Sequence, residues 1–377
     1  MRVEERTFYL ATPAYFAEYT RRFIQEAGAS VVGGCCGTTP QHIAAMAEAL
    51  RQLRPQPMPG PREAPPRVTV VTPPAEEPAE TAAAPSSLAE KLRRGKFVVS
   101  VELDPPKGSN PSKVLKGAAM LKELGVDCIN IGDSPMARVR MSCIAMAVLI
   151  QQRVGLETII HFTTRDRNLM ALQSDLLGAH ALGIRNVIAL TGDPPRLGDH
   201  PEATGIWDVD SIGLVQIIKR LNEGKDWAGN SIGRPTAFTV AVAASPNAPD
   251  VALEKERFRR KLEAGADLVM TQPLYDRESV ERFLEEFGPI PVPVILGVLP
   301  VQSYRHAEFL HHEVPGIEVP LAVRERMRRA GENGIAEGIA QAREFLADVR
   351  DLVQGIYLMP SFGRYEVVAE VVKGIVL

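Results

Sequence analysis

Cysteine is scarce in this chain: Cys35, Cys36, Cys128 and Cys143 are the four among 377 residues. A cytosolic enzyme gains little from disulfides, and two of the four are adjacent, so free thiols or metal ligands are expected. An excess of charge of one sign is missing too. The net charge of -3 and the pI near 6.2 leave no basic footprint for nucleic acid. No apolar run reaches membrane-spanning length, and the opening MRVEERTFYL has no signal-peptide core. The chain is therefore expected to be soluble and cytoplasmic. A Walker-type phosphate loop is absent, and no GxGxxG follows a first strand, which argues against a Rossmann nucleotide site.

Proline, by contrast, is abundant and unevenly spread. Ten of the 30 prolines fall between Arg54 and Ser87. That density excludes helix and central strand and predicts an extended, disordered linker over residues 55–87. It separates a short piece, residues 1–54, from a long domain, residues 88–377. In the long domain, eight near-continuous apolar runs recur: 97–103, 128–133, 157–164, 186–193, 237–244, 267–274, 293–300 and 355–362. Runs of this kind suit parallel strands covered on both faces. Helical periods lie between them; Leu169, Leu172, Leu176 and Ala179 form one stripe. Gly125, Gly183 and Gly265 recur just before strands, where left-handed helix C-caps belong. Eight β-then-α units predict an α/β fold, a (β/α)8 TIM barrel, preceded by a short incomplete βα fragment. An open doubly wound sheet is the alternative, but it usually has fewer strands, ~5–6.

A barrel of this kind carries its chemistry at the C-terminal strand ends. Glu102 ends strand 1 among Val98, Val99, Val101 and Leu103, and continues into Leu-Asp-Pro-Pro. Such surroundings should raise its pKa and suit a general acid; a structural carboxylate paired with lysine is the competing reading. His161 ends strand 3. Thr191-Gly192-Asp193-Pro-Pro ends strand 4, where Gly192 lets backbone approach a ligand, while Asp193 equally fits an Asx turn or helix cap. Thr271-Gln272 ends strand 6. Gln302-Ser303-Tyr304 follows strand 7, and Phe362-Gly363-Arg364 follows strand 8. In the segment EKERFRRKLEAG, Arg257, Arg260 and Lys261 share one helix face, either a pyrophosphate site or a solvated surface.

Three motifs are together distinctive: Ser100-Val-Glu-Leu-Asp-Pro-Pro, Ala189-Leu-Thr-Gly-Asp-Pro-Pro and Met270-Thr-Gln. They resemble the first-, fourth- and sixth-strand motifs of the 5,10-methylenetetrahydrofolate reductase family, with all strands in order from about Leu88 to Leu377. The resemblance is nearest to the two-domain bacterial type, in which a homocysteine S-methyltransferase barrel precedes the reductase. It implies reduction of 5,10-methylenetetrahydrofolate to 5-methyltetrahydrofolate by FAD that NADH or NADPH has reduced, in one-carbon metabolism and methionine biosynthesis. By the same resemblance Glu102 is the general acid, Asp193 tunes the flavin and binds the pterin, and Gln272 contacts both. His161, Leu190, Thr191, Gly192, Glu254, Arg257, Arg260 and Lys261 align with flavin-contacting positions. Tyr304 and Arg364 align with folate-side positions. Two departures stand out: Gly132-Asp133 replaces a Thr-Tyr pair, and Thr191 stands where an Arg is usual. The expected partners are a folate and a nicotinamide dinucleotide, with no nucleic acid and no membrane, in a homo-oligomer.

Residues 1–54 end in Val31-Val-Gly-Gly-Cys-Cys-Gly-Thr-Thr-Pro-Gln-His, resembling the last zinc-binding strand of the methyltransferase barrel. Cys35 and Cys36 match two of three metal ligands, and two thiolates rarely hold zinc. The expectation is a truncated remnant without zinc or methyltransferase activity; a site completed by another chain is the alternative. Cys128 and Cys143 are expected in the core, His311-His312 at a solvated helix end, and Trp207 and Trp227 in packing. Two other functional classes compete with the reductase: a flavin-free folate methyltransferase barrel and a non-catalytic reductase-like subunit.

Overall fold

The computed structural model describes residues 11–35, 38–53 and 85–376, together with residues 2–3 and 6–7. The chain divides into two compact units, residues 1–77 and 78–377. The predicted linker falls outside the described residues over 55–84. Its last residues are folded: buried Ser86 caps a helix by accepting from Ala89 N at 2.9 Å.

The first unit holds a two-residue antiparallel pair, Arg2–Val3 with Arg6–Thr7, and two helices, α1 (Pro13–Gln25) and α2 (Pro40–Gln52). Thr12 caps α1 by accepting from Tyr15 N. At the start of α2, His42 Nδ1 accepts from Thr39 N, while its Nε2 meets Ala11 O and joins the two helices. The expected strand around Val31–Cys35 is not formed, and Val31 is 89% exposed. A lone strand without neighbours to pair with has no independent stability.

The second unit closes eight parallel strands into a barrel. They are β1 (Val98–Leu103), β2 (Cys128–Ile131), β3 (Glu157–Thr163), β4 (Asn186–Leu190), β5 (Thr239–Ala244), β6 (Leu268–Pro273), β7 (Val294–Val298) and β8 (Gly355–Leu358). All eight predicted runs became strands, and the TIM-barrel expectation holds. β8 closes on β1 with Tyr357 opposite Ser100. The reason is the two-residue alternation of side chains. Val99, Val101, Leu103, Ile129, Ile131, Ile160 and Phe162 point outward and form one core with the surrounding helices. Val98, Cys128, Ile159, Ile188, Leu268 and Ile295 point inward and fill the barrel. Truncating a buried Ile or Phe here should cost ~2–5 kcal/mol, since both layers are close-packed.

The outer helices are α4 (Ser112–Glu123), α5 (Cys143–Arg153), α6 (Leu169–Ala181), α7 (Ser211–Asn222), α8 (Val251–Glu263), α9 (Arg277–Phe287), α10 (Tyr304–Glu313), α11 (Leu321–Ala330), α12 (Gly334–Val349) and α13 (Tyr365–Val376). Leu172, Leu176 and Ala179 are fully buried along α6, as the stripe predicts. Gly125, Gly183 and Gly265 have φ of 81°, 89° and 104°, which terminates the preceding helix as expected. Two residues beyond two of these glycines an aspartate locks the strand floor: Asp127 accepts from Val99 N and Lys96, and Asp267 from Val240 N and Lys219. Cys128 and Cys143 are core thiols. Trp227 is half-buried against the outer core, but Trp207 is 47% exposed and does not pack as expected.

The two ends of the barrel differ, and the difference places the site. At the N-terminal end α3 (Ser87–Arg93) is a plug. Leu88 and Leu92 join the interior cluster, and Glu157 accepts from the backbone of Ser87 and Leu88. The C-terminal end stays open. Among the described residues no helix is long and apolar enough to cross a membrane.

Candidate active site

The inward positions become polar toward the C-terminal end. Ser100 Oγ donates to Ile356 O and accepts from Asn130 Nδ2 at 2.9 Å. Asn130 Oδ1 in turn meets His161 Nε2 at 3.3 Å. One step further along β1, Glu102 points the same way as Ser100. Its carboxylate accepts from the phenol of Tyr357 on β8. Burial raises the Glu102 pKa, and the Tyr357 hydrogen bond opposes this only in part. No lysine pairs with Glu102 among the described residues, so the structural-carboxylate reading finds no partner. Burial also lowers the His161 pKa to about 4, which keeps the ring neutral at physiological pH.

Above this ladder opens a cavity of about 550 Å³. Glu102, His161, Leu190, Thr191, Gly192, Asp193 and Gln272 all line it, so seven predicted site residues share one wall. Gly192 has φ of 88°, and a Cβ there would lie 3.0 Å from Thr163 Cβ and 3.1 Å from Arg165 Cβ. Only glycine permits that turn at the end of β4. Asp193 is exposed, and its Oδ2 accepts from Met136 N at 2.9 Å. It therefore anchors the loop after β2 rather than capping its own helix. That loop is strained: Ser134, Met136 and Ala137 have φ of 48°, 56° and 52°.

The two departures are explained by internal bonding. Asp133 is buried, ion-paired to Arg167 at 2.7 Å, and accepts from Thr163 N and Oγ1. Thr191 Oγ1 accepts from Ser211 N at the start of α7. Both side chains are thus committed to the scaffold.

Other predicted residues stand apart from the cavity wall. Lys261 is buried and spends its ammonium on Ala243 O at 2.8 Å and on Glu254 at 3.5 Å. Glu254 also accepts from Ser245 N. Burial lowers the Lys261 pKa against the pull of Glu254. The predicted basic face is therefore not continuous: Lys261 turns inward, Arg260 is exposed, and neither they nor Glu254 and Arg257 line the cavity. Helical spacing shows which residues share a side, but not which of them is drawn into the sheet. Tyr304 opens α10 with 39% exposure, and Arg364 Nη1 donates to Gln302 Oε1 at 3.3 Å. Both follow strand ends on the open face without reaching the cavity wall.

Sequence reading missed Tyr357, Arg165 and Met136, which also line the cavity. Alternation along β8 could have found Tyr357, the one polar-tipped residue among its inward positions. Arg165 is buried, and its guanidinium reaches the carbonyls of Asp133, Ser134 and Asp193, each at 3.4 Å, tying two rim loops together. In the first unit Cys35 is exposed and its N donates to Thr38 Oγ1, whereas Cys36 lies outside the described residues. No group of three or more potential metal-ligating side chains occurs among the described residues.

Comparisons with known proteins add the following. Residues 87–371 match the family model described as methylenetetrahydrofolate reductase, and residues 2–50 match that of homocysteine S-methyltransferase. A 5,10-methylenetetrahydrofolate reductase of Pectobacterium carotovorum subsp. carotovorum is 27% identical over 229 residues, covering 59% of this chain and 70% of that protein. Methylenetetrahydrofolate reductase 2 of Saccharomyces cerevisiae is 29% identical over 196 residues, covering 51% of this chain. The chain spans only 30% of that yeast protein, and 27% of a probable methylenetetrahydrofolate reductase (NADH) from Oryza sativa subsp. japonica. Among solved structures, an uncharacterized Clostridium thermocellum protein that binds two copies of 5-methyl-5,6,7,8-tetrahydrofolic acid has a TM-score of 0.52 at 15% identity. It covers 77% of this chain and 98% of its own, and shares the fold.

Proposed function

The chain belongs to the methylenetetrahydrofolate reductase family, and from that premise we propose that it reduces 5,10-methylenetetrahydrofolate to 5-methyltetrahydrofolate. The single observation that best supports the reading is Glu102, a carboxyl whose pKa is raised by desolvation, in a cavity shared with Asp193 and Gln272. A raised pKa favours the protonated form of a carboxyl, the form in which a general acid acts.

The cavity fits a flavin. Its volume lies within the ~300–1,000 Å³ typical of cofactor sites. Its wall combines apolar Leu190, Ala243 and Met270 with the glycine turn at Gly192, where backbone can approach a flat ring. Bound FAD would pass a hydride from NADH or NADPH to the folate. Leu190, Gly192, Asp193, Gln272 and His161 would hold it. Glu102 then delivers a proton to the folate nitrogen that leaves the methylene carbon, so the bridge opens. Asp193 and Gln272 orient the pterin by hydrogen bonds. Glu254, Arg257, Arg260 and Lys261 would serve the distal part of the dinucleotide only if that part extends beyond the cavity, along α8. Tyr304 and Arg364 stand on the same open face, where the folate tail would exit.

We assign residues 88–377 to this reductase barrel, 55–87 to a linker and 1–54 to a homocysteine S-methyltransferase-like segment. The segment makes no methionine on its own. A cytoplasmic homo-oligomer serving methionine biosynthesis completes the reading.

The test is the visible spectrum of the purified protein under anaerobic conditions. A flavin band should bleach with NADH or NADPH and return with methylenetetrahydrofolate. Glu102→Gln should keep the first change and lose the second. Absence of a flavin band even after added FAD would favour a flavin-free folate methyltransferase or a non-catalytic subunit.

A further inference from the structure

We propose that Met136 packs its thioether on the flavin ring and covers the solvent side of the cofactor site. The inference rests on the reductase reading above and concerns a residue to which that reading gives no role.

Three residues of the cavity lining are exposed: Met136, Asp193 and Gln272. They mark its mouth. Asp193 and Gln272 offer a ligand hydrogen bonds, and Met136 offers apolar surface. The other methionines of the lining, with its isoleucine, leucine and alanine, have protein partners. Ile188 and Met270 belong to the cluster that fills the barrel, and Leu190, Ala243 and Met359 pack against it. Met136 is 57% exposed and joins none of the three hydrophobic clusters among the described residues. The protein itself leaves this apolar side chain uncovered at the mouth of the cavity.

Single exposed apolar side chains are ordinary on a protein surface. Met170 is one of them, 75% exposed on the regular helix α6 and not part of the cavity lining. Met136 differs in its backbone. Its φ is 56°, and Ser134 and Ala137 in the same loop have 48° and 52°. Among the described residues Phe362 is the one other non-glycine with positive φ. That conformation is strained for a residue with a Cβ, and glycine would adopt it freely. Three ties enforce it here. Asp193 Oδ2 accepts from Met136 N at 2.9 Å, and Arg165 Nη1 donates to Ser134 O at 3.4 Å. Gly198 sits so close to the loop that a Cβ on it would lie 1.9 Å from Ala137 O. The ties come from the segments after β3 and β4, which also supply cavity wall. They hold one large apolar side chain at a fixed place on the mouth.

What the loop presents suits a flat ring. A thioether is polarisable and unbranched, and sulfur makes favourable contacts with aromatic rings. A resident ring suits it better than an exchanging one. Folate and nicotinamide leave in every cycle and would uncover Met136 each time, whereas the flavin stays.

Methionine oxidation reads this contact without any turnover. In the full chain freed of flavin, dilute hydrogen peroxide should convert both Met136 and Met170 to sulfoxides, followed by peptide mass spectrometry. Saturating FAD should slow the oxidation of Met136 by roughly tenfold or more and leave Met170 unchanged. Met136→Ala keeps the Cβ, and with it the backbone constraint, but loses the thioether. Its urea midpoint without flavin should equal that of the wild type, because the side chain joins no core. Its FAD dissociation constant should rise by roughly tenfold. Met136→Leu returns apolar surface and should recover most of that loss. Equal oxidation of Met136 with and without bound FAD would overturn the contact while leaving the reductase reading intact. So would protection that appears only after methylenetetrahydrofolate is added, or an alanine variant that binds FAD as tightly as wild type. Wild-type protein that shows no flavin band even after added FAD would overturn both.

Discussion

Tyr357 donates its phenolic hydrogen to Glu102 across the seam where β8 closes on β1. The last strand of the barrel therefore holds the carboxyl that we propose the first strand contributes to chemistry. The bond favours the carboxylate and so opposes the dominant effect of burial, which raises the Glu102 pKa. Removing it in Tyr357→Phe leaves burial unopposed, and the Glu102 pKa should rise further. A general acid is active below its pKa, so the basic limb of the folate half-reaction should move to higher pH. Rapid-mixing measurements from pH 6 to 9 would show this, with flavin reduction by NADH as the unaffected control. An unshifted limb would mean that Tyr357 merely packs.

Asp193 is tied to Met136 N, and through that bond to three residues of the rim loop with positive φ. Each such residue costs of order 1 kcal/mol or more unless its surroundings enforce it. In Asp193→Ala the loop loses its carboxylate anchor and should relax. The backbone amides of Ser134, Met136, Ala137 and Arg138 should exchange with deuterium at least tenfold faster, while global stability changes by less than about 1 kcal/mol. Protection equal to wild type would show that Arg165 alone holds the rim.

How much of this was legible in the sequence depends on the distance over which each feature is determined. All eight strands and the three glycine caps could be read, because burial on both faces and positive φ are imposed by neighbours along the chain. Glu102, Gly192 and Asp193 were found for the same reason: each sits at a strand end flanked by its own signal. The partnership of Tyr357 with Glu102 spans 255 residues and exists only once the barrel closes. The inward turn of Lys261 toward Ala243 likewise depends on how α8 settles against β5. Helix periodicity alone put Arg257, Arg260 and Lys261 on one face and could not tell a buried ammonium from an exposed one. The strand expected at Val31–Cys35 failed for the opposite reason: its local pattern was right, but no described neighbour is there to pair with it.

His161 makes the ligand-free protein acid-sensitive over a defined window. Its pKa is lowered by burial to about 4, against a usual value of 6.5. Between those values the unfolded chain binds a proton that the folded one refuses. Stability is therefore full above about pH 6.5 and declines as pH falls toward 4, by up to ~3 kcal/mol from this group. His161→Gln removes the titrating ring and should flatten this part of the profile. Urea unfolding at pH 7 and pH 5 checks the sign: the wild type should lose midpoint concentration on acidification by clearly more than the variant.

Gly192 offers the sharpest steric test of the cavity wall. At φ of 88° any L residue is strained, and an added methyl would meet Thr163 Cβ at 3.0 Å and Thr163 Cγ2 at 3.2 Å. Thr163 cannot yield freely, because its N and Oγ1 both donate to Asp133, which is itself ion-paired to Arg167. The strain should therefore pass into the turn that carries Asp193. Gly192→Ala should cost about 1–3 kcal/mol in thermal or urea unfolding. It should also weaken flavin retention on dialysis, since the backbone at 192 can no longer hold its approach to the ring. A variant that is destabilised yet keeps its flavin as tightly as wild type would place the cofactor away from this turn. Asp193 and Leu190 would then have to be reassigned to the folate side of the cavity.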